Sequence, residues 1–398
     1  MENEYYPDEQ SVSMKSYQTN ALEEKIAKAF TERFGEKAAF FVRAPGRVNL
    51  IGEHTDYNDG FVFLVAINRE IMIALRPRKD GRVVLFSMDF PEPAAFSLDG
   101  FDRGKGWQEY VKGIAWTLQQ HDYRLGGWEG VLGSTLPVGA GLSSSAALEI
   151  SLCRAFQCVS GWVWEGKRMA LIAQEADHRW VGIQSGIMDQ LISAEGKEGH
   201  ALLIDCRSLS LDPIPLPGDT RIVILDTATR RGLVDSIYNR RVQECRQAAA
   251  FFGAQSLRDV GAEMVSSKPA GMPDDVYLRA RHVITENVRT LQGAEALKHR
   301  DVRTFGELMN ESHRSLRDDY QVSSKELDIM AEIAREQPGC YGARMTGAGF
   351  GGCVVALTAR TNLDQFVDVV HREYEQRTGL TPHIYITGAA QGASMETV

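Results

Sequence analysis

The chain has 398 residues, room for two to three domains at about 150 residues each. Its 43% hydrophobic and 24% charged residues exclude a disordered chain, a collagen-like one and a small disulfide scaffold. Lys and Arg total 44 against 53 Asp and Glu, and a net charge of −9 offers no global field to nucleic acid or an anionic membrane.

In chain order, residues 1–20 are polar, without hydrophobic periodicity, and are expected to be a mobile extension. Their acidic start is unlike a signal peptide, and the longest apolar run, Phe61–Ile67, is far below the about 20 residues of a membrane span. A cytoplasmic location follows as an expectation. Leu22, Ile26 and Phe30 predict a helix over 21–34, and β-rich runs follow at Ala39–Val42, Phe61–Ile67, Ile71–Arg76 and Val83–Phe86. Trp107, Val111, Ile114 and Leu118 share one helical face; a second helix is expected over Ser145–Val159, and a strand over Ala201–Asp205. The turn-rich run from Asp212 to Asp219 suggests a boundary between two α+β lobes, 21–205 and 206–398. The second lobe opens with a strand, Arg221–Leu225, and continues mostly as helices. Ser323 and Glu326 have capping-box spacing for a helix ending before Pro338, and strands at Gly352–Leu357 and His383–Ile386 flank a last helix. The six cysteines show neither a C-x-x-C pair nor zinc spacing and read as buried thiols.

Four stretches carry chemistry-bearing residues. Gly139-Ala-Gly-Leu-Ser-Ser-Ser145 leads from a β-rich run into a helix, where unpaired N–H groups suit phosphate oxygens. No Lys follows the glycines, so it is not a Walker-type loop; a Gly-rich turn with a Ser cap is the alternative. A second stretch packs Arg47, Glu53, His54, Asp56 and Asp59 together, groups suited to a polyhydroxylated ligand or to a solvated loop. Asp189 sits between Met188 and Leu191-Ile192, awkward for a carboxylate unless it is paired, catalytic or a buried cap. Arg344-Met-Thr-Gly-Ala-Gly-Phe-Gly-Gly352 could lie against a ligand or form a Gly-rich hairpin.

Taken together, these stretches resemble the galactokinase branch of the GHMP small-molecule kinases. Gly46-Arg-Val-Asn-Leu-Ile-Gly-Glu-His-Thr-Asp-Tyr-Asn58 resembles its sugar signature, Leu136–Ala147 its nucleotide loop, and Met345–Gly352 its third motif. The resemblance implies a two-lobed α+β fold with a mixed sheet in the first lobe and the active site between lobes. It implies Asp189 and Arg47 as catalytic residues, and Glu53, His54, Thr55, Asp56, Gly186 and Tyr238 as sugar-binding. Gly139, Ala140, Gly141, Leu142, Ser143, Ser144 and Ser145 would cradle ATP, with Ser87 near the nucleoside. Mg²⁺ would sit on Ser145 and Asp177. The family normally has Glu at the latter place, so the shorter Asp177 is a departure, and Glu175 is the weaker substitute. The implied reaction is ATP-dependent phosphorylation of D-galactose at C1 by a monomer. The rivals are a kinase for N-acetylgalactosamine, galacturonate, a pentose or mevalonate, and a galactose and ATP sensor without turnover.

Overall fold

The computed structural model describes residues 9–137, 139–229 and 234–398, with side chains of 9–20 and 234–236 left aside. Residues 1–8 of the expected extension lie outside it. Residues 9–20 are helical, so α1 runs Glu9–Phe34 and starts earlier than the periodicity placed it.

The first sheet is built on β1 (Phe40–Ile51) and β2 (Phe61–Arg78), which pair antiparallel. The two strands expected at 61–67 and 71–76 are one. The polar residues between them keep their backbone bonded, through Asn68 N–H to Thr387 Oγ1 (3.0 Å) and Glu70 N–H to Thr135 Oγ1 (2.9 Å). Opposite them the register jumps between Pro45 and Arg47, so that Gly46 alone faces residues 67–69 of β2. A Cβ on Gly46 would lie 2.5 Å from the Leu142 carbonyl, so glycine lets the Gly-rich loop of residues 139–145 press on β1. Beyond β2 lie β3 (Arg82–Ser87), β4 (Ala94–Ser97) and β5 (Gly127–Ser134), in the order β12-β1-β2-β5-β3-β4, with β3 and β5 parallel. The other end of β2 pairs with β6 (His200–Asp205).

Two strands change the expected boundary at 205/206. Ser210–Pro215, read as turn, is β7, pairing with β6 at the sheet's edge, where prolines are tolerated. Ser394–Thr397 is β12, which returns to pair with β1. The first sheet therefore draws on both sides of that boundary.

Leu22, Ile26 and Phe30 of α1 cover one sheet face, against Phe41, Met72, Ala74 and Val131. The other face packs on α2 (Gln108–Gln120), α3 (Ser144–Ser160), α4 (Gly166–Ala176) and α5 (Met188–Glu195). The second sheet has order β11-β8-β10-β9, from β8 (Thr220–Asp226), β9 (Cys340–Thr346), β10 (Cys353–Ala359) and β11 (His383–Thr387). Alternation along β8 and β10 splits the chain's interior. Val223, Leu225, Val354 and Ala356 face the core of α6 (Val234–Phe251), α7 (Asp274–Lys298), α9 (Lys325–Glu336) and α10 (Leu363–Thr378). Ile222, Ile224, Val355 and Leu357 face back into the first core, joined by Phe305 and Met309 of α8 (Val302–Ser315). The two lobes thus share an apolar interior. The cap of α9 is Ser324, whose hydroxyl accepts from Leu327 N–H, while Ser323 donates to Asp328; the expected box is shifted by one residue. Among the described residues, no helix is long and apolar enough to cross a membrane.

Candidate active site

Where β1 ends, Gly52 turns the chain with φ +97° and donates its N–H to buried Glu286 (3.0 Å). His54 follows at φ +63°, a left-handed conformation held by the loop's own bonds. Thr55 donates its hydroxyl to the carbonyls of Gly52 (2.9 Å) and Phe61 (2.7 Å), and Asn58 donates to the His54 carbonyl (3.0 Å). This turns Glu53, His54 and Asp56 toward a cavity of about 210 Å³ that also touches Arg47, Gly186, Asp189 and Tyr238. Thr55 is the correction: wholly buried, it braces the loop and does not line the cavity.

Arg47 and Asp189 form the mouth. Nε and Nη2 of Arg47 donate to the two carboxylate oxygens at 2.7 and 2.8 Å, the bidentate geometry that fixes both groups. Arg47 Nη1 donates to the Gly141 carbonyl (2.7 Å), tying the same side chain to the Gly-rich loop. In that loop Gly139 and Gly141 have φ +74° and +80°, and Ser143 +59°. The Ser143 hydroxyl donates to Asp189, so it does not cap α3, and the first N–H groups of that helix have no side-chain cap from it. Ala140 accepts from Cys353 Sγ (3.0 Å), which brings the glycine-rich segments of the two lobes together. Ser144 and Ser145 open α3, with Ser145 exposed. Ser87 stands apart from the cavity: its hydroxyl accepts from Asp89 and Phe90 N–H at the end of β3.

The third motif reaches the sugar loop from behind. Glu53 accepts from Gly347 N–H, Asn49 and Thr346, with Arg344 3.7 Å away. Burial raises its pKa against the pull of Arg344 and Arg47. Burial, reinforced by His282 and Arg241, holds His54 well below the ordinary histidine range, so it is a neutral imidazole. Burial and then the Asp189 charge push Asp56 up to about 7. Asp56 Oδ2 lies where a Cβ on Gly186 would be, 1.6 Å from it, so a larger residue there would have to move the Asp56 carboxylate.

A buried carboxyl pair lies behind α3. Asp177 Oδ2 accepts from Ser185 (2.9 Å) and Gln190 (3.2 Å), and Gln190 also donates to Glu149 (3.2 Å). The Asp177 and Glu149 carboxyls are buried and hydrogen-bonded to each other. Burial and then Asp177 raise the Glu149 pKa well above the ordinary carboxyl range. Glu149 is one helical turn from Ser145, on the same face. Carboxyl and hydroxyl oxygens gathered so near the helix start are the donor type a hard cation takes, so the residues fit Mg²⁺. Glu175 points elsewhere, to His121 (2.7 Å) and Arg179 near the surface.

The model described as the galactokinase galactose-binding signature matches residues 28–77, and the GHMP kinase N-terminal and C-terminal models match 109–197 and 294–376. A galactokinase of a Roseiflexus species is 45% identical over 374 residues, covering 92% of this chain and 96% of the relative. The chain belongs to the galactokinase family. Among solved structures, Lactococcus lactis galactokinase complexed with galactose has a TM-score of 0.88 at 36% identity, covering 92% of this chain and 98% of that one. Methanococcus jannaschii mevalonate kinase, at 18% identity and TM-score 0.64 over 89% of this chain and 99% of its own, shares the fold. The galactokinase signature segment covers β1 and its turn, the part that carries Arg47 and the sugar loop.

Glu149, Gln190 and Ser185 escaped sequence reasoning, as did Tyr57 and Tyr320 behind the loop. Glu149 had a signal: it lies between Leu148 and Ile150, the same apolar setting that marked Asp189.

Proposed function

We propose that the cavity binds D-galactose and that its C1 hydroxyl receives the γ-phosphoryl group of ATP. The observation that carries this is the Arg47–Asp189 fork, set where a cavity lined by Glu53, His54, Asp56 and Tyr238 meets a Gly-rich loop at the uncapped start of α3. Phosphoryl transfer asks the protein mainly for positioning and charge stabilisation. Asp189 orients the anomeric hydroxyl and accepts its proton as the new O–P bond forms. Arg47 holds Asp189 in line and faces the charge on the transferring group. Asp56 anchors sugar hydroxyls, with Glu53, His54 and Tyr238 completing the cavity. The α3 N-terminus and residues 139–145 cradle the phosphates. Ser145 and Asp177 would hold Mg²⁺, which supplies charge neutralisation on the nucleotide phosphates when bound. We read Ser87 as lying on the nucleoside side.

We infer a monomer as the working unit. Six free cysteines and the use of ATP support a cytoplasmic location. We place the join between the lobes at 216–219, after β7, with β12 returning to the first.

Galactose differs from glucose only in the axial C4 hydroxyl, and a buried polar group left unpaired costs about 1–3 kcal/mol. One such loss is about 5- to 150-fold in kcat/KM. The test is kcat/KM by coupled ADP release for galactose, glucose and N-acetylgalactosamine. Galactose should exceed both others; a rival sugar matching it would reassign the substrate, and binding without turnover would leave a sensor.

A further inference from the structure

Behind the sugar loop runs a line of hydrogen bonds with no part in the chemistry above. His54 Nδ1 is 2.8 Å from the Tyr57 hydroxyl, which is 2.6 Å from the Tyr320 hydroxyl, which is 3.2 Å from Cys245 Sγ. Tyr320 and Cys245 are fully buried, and the chain crosses from the first lobe into α6 and the turn after α8. We propose that Tyr57, Tyr320 and Cys245 are positioning residues that fix the tautomer of His54, so that the ring presents Nε2–H to a sugar hydroxyl oxygen.

Counting hydrogens leaves the line two directions, because either atom of the Tyr57–Tyr320 and Tyr320–Cys245 pairs can donate. Burial keeps His54 neutral, with one ring N–H. Burial likewise raises the tyrosines well above their ordinary range and the Cys245 thiol to about 11, so each of the three carries one hydrogen. Sulfur is a weak acceptor and S–H a weak donor, and Cys245 is hydrogen-bonded to both Tyr320 and Asn58. With the S–H directed at Tyr320, the Tyr320 O–H passes to Tyr57, whose O–H passes to His54 Nδ1, the direction that the cavity end of the line favours. Nδ1 is then an acceptor, and the single ring hydrogen is on Nε2.

The far end agrees. His54 Nε2 is buried with no protein partner, yet His54 lines the cavity. The Ala348 backbone, on the same wall, favours a proton on this ring. The reverse direction would put the hydrogen on Nδ1 and leave Nε2 bare beside the Ala348 backbone.

The ring is also held in place. Tyr320 lies 4.7 Å from His54, and His282 lies 4.6 Å from Tyr320. His282 is itself fixed by the Glu53 carbonyl (3.1 Å) and Ser315 (2.9 Å). One wall of the cavity thus offers a donor while Glu53 and Asp56 offer carboxylates. That polarity selects a hydroxyl able to accept from His54 and donate to a carboxylate, and it depends on the galactokinase reading only for the identity of the sugar.

The experiment is ¹⁵N NMR of the histidine-labelled full chain, with His54 assigned by His54→Gln, together with kinetics of Tyr57→Phe and Tyr320→Phe. Wild type should show His54 with a hydrogen on Nε2 and a bare Nδ1. Tyr57→Phe should move His54 toward the other tautomer and raise the galactose KM about tenfold, leaving the ATP KM unchanged. Tyr320→Phe should do the same more weakly. A wild-type Nδ1–H tautomer overturns the proposal, as does a folded Tyr57→Phe with unchanged tautomer and galactose KM. The wild-type spectrum decides even if a variant fails to fold. Failure to phosphorylate galactose would sink the proposed function and leave this measurement standing.

Discussion

Arg47 and Asp189 meet in a two-point fork, 2.7 and 2.8 Å, although 142 residues separate them in the chain. Arg47 comes from the middle of β1 and Asp189 from the first turn of α5. Ser143 joins the same carboxylate from the Gly-rich loop, so three of the four sequence stretches converge on one side chain.

Asp189→Asn keeps the volume and loses both the charge of the fork and the proton acceptor. Turnover should fall about 10²-fold or more, with sugar and ATP binding retained. Single-turnover phosphoryl transfer beside equilibrium binding separates the two. Near-normal kcat would make Asp189 structural.

Gly186→Ala should displace Asp56, because the new methyl occupies its Oδ2 position. The neighbour is the end of a side chain, so the fold survives while the anchor swings away. Galactose KM should rise at least about fivefold, the lower figure for one lost buried partner. An unchanged KM would remove Asp56 from sugar binding.

Asp56 also links stability to pH. Its folded pKa of about 7 is above the ordinary value of 3.8. The folded state therefore binds more protons in that window, and stability falls as pH rises from about 4 to 7. Asp56→Asn, neutral throughout, should be more stable than wild type at pH 8, by at most about 4 kcal/mol, with the gain shrinking toward pH 5. Thermal unfolding at the two pH values checks the sign. A pH-independent difference would refute it.

Asp177→Asn should raise the Mg²⁺ concentration needed for half-maximal rate, while Glu175→Gln should not. The difference arises because Asp177 lies buried beside Glu149 of α3, while Glu175 is engaged by His121 and Arg179 near the surface. A Mg²⁺ titration of both variants is sufficient; equal shifts would assign the wrong carboxylate.

The loops were legible because their polar residues are concentrated in short runs that no core would take. The strand that carries them was less so. The β-rich run reads as ending at Val42, yet β1 continues through Asn49 to Ile51. Its Asn49 N–H is answered by Thr346 Oγ1 and its carbonyl by Arg344, 297 and 295 residues away. Pro213 and Pro215 read as turn because local propensity cannot see that β7 is an edge strand with one free side. Thr55 looked like a ligand because sequence gives its neighbours but not its direction. Tyr57 and Tyr320 lie 263 residues apart, and nothing local announces their hydrogen bond.

The return of β12 to β1 has a consequence for synthesis. Phe40 to Arg43 pair with Thr397 to Ser394, so the outer edge of β1 stays uncovered until those late residues leave the ribosome. An open strand edge is a template for another chain, and contacts this distant in sequence form slowly. During translation, the strand that bears Arg47 is thus the one most exposed to wrong partners. A chain cut after Ala393 should keep this vulnerability permanently and be recovered mainly as aggregate, whereas the full chain closes the edge with its own last strand.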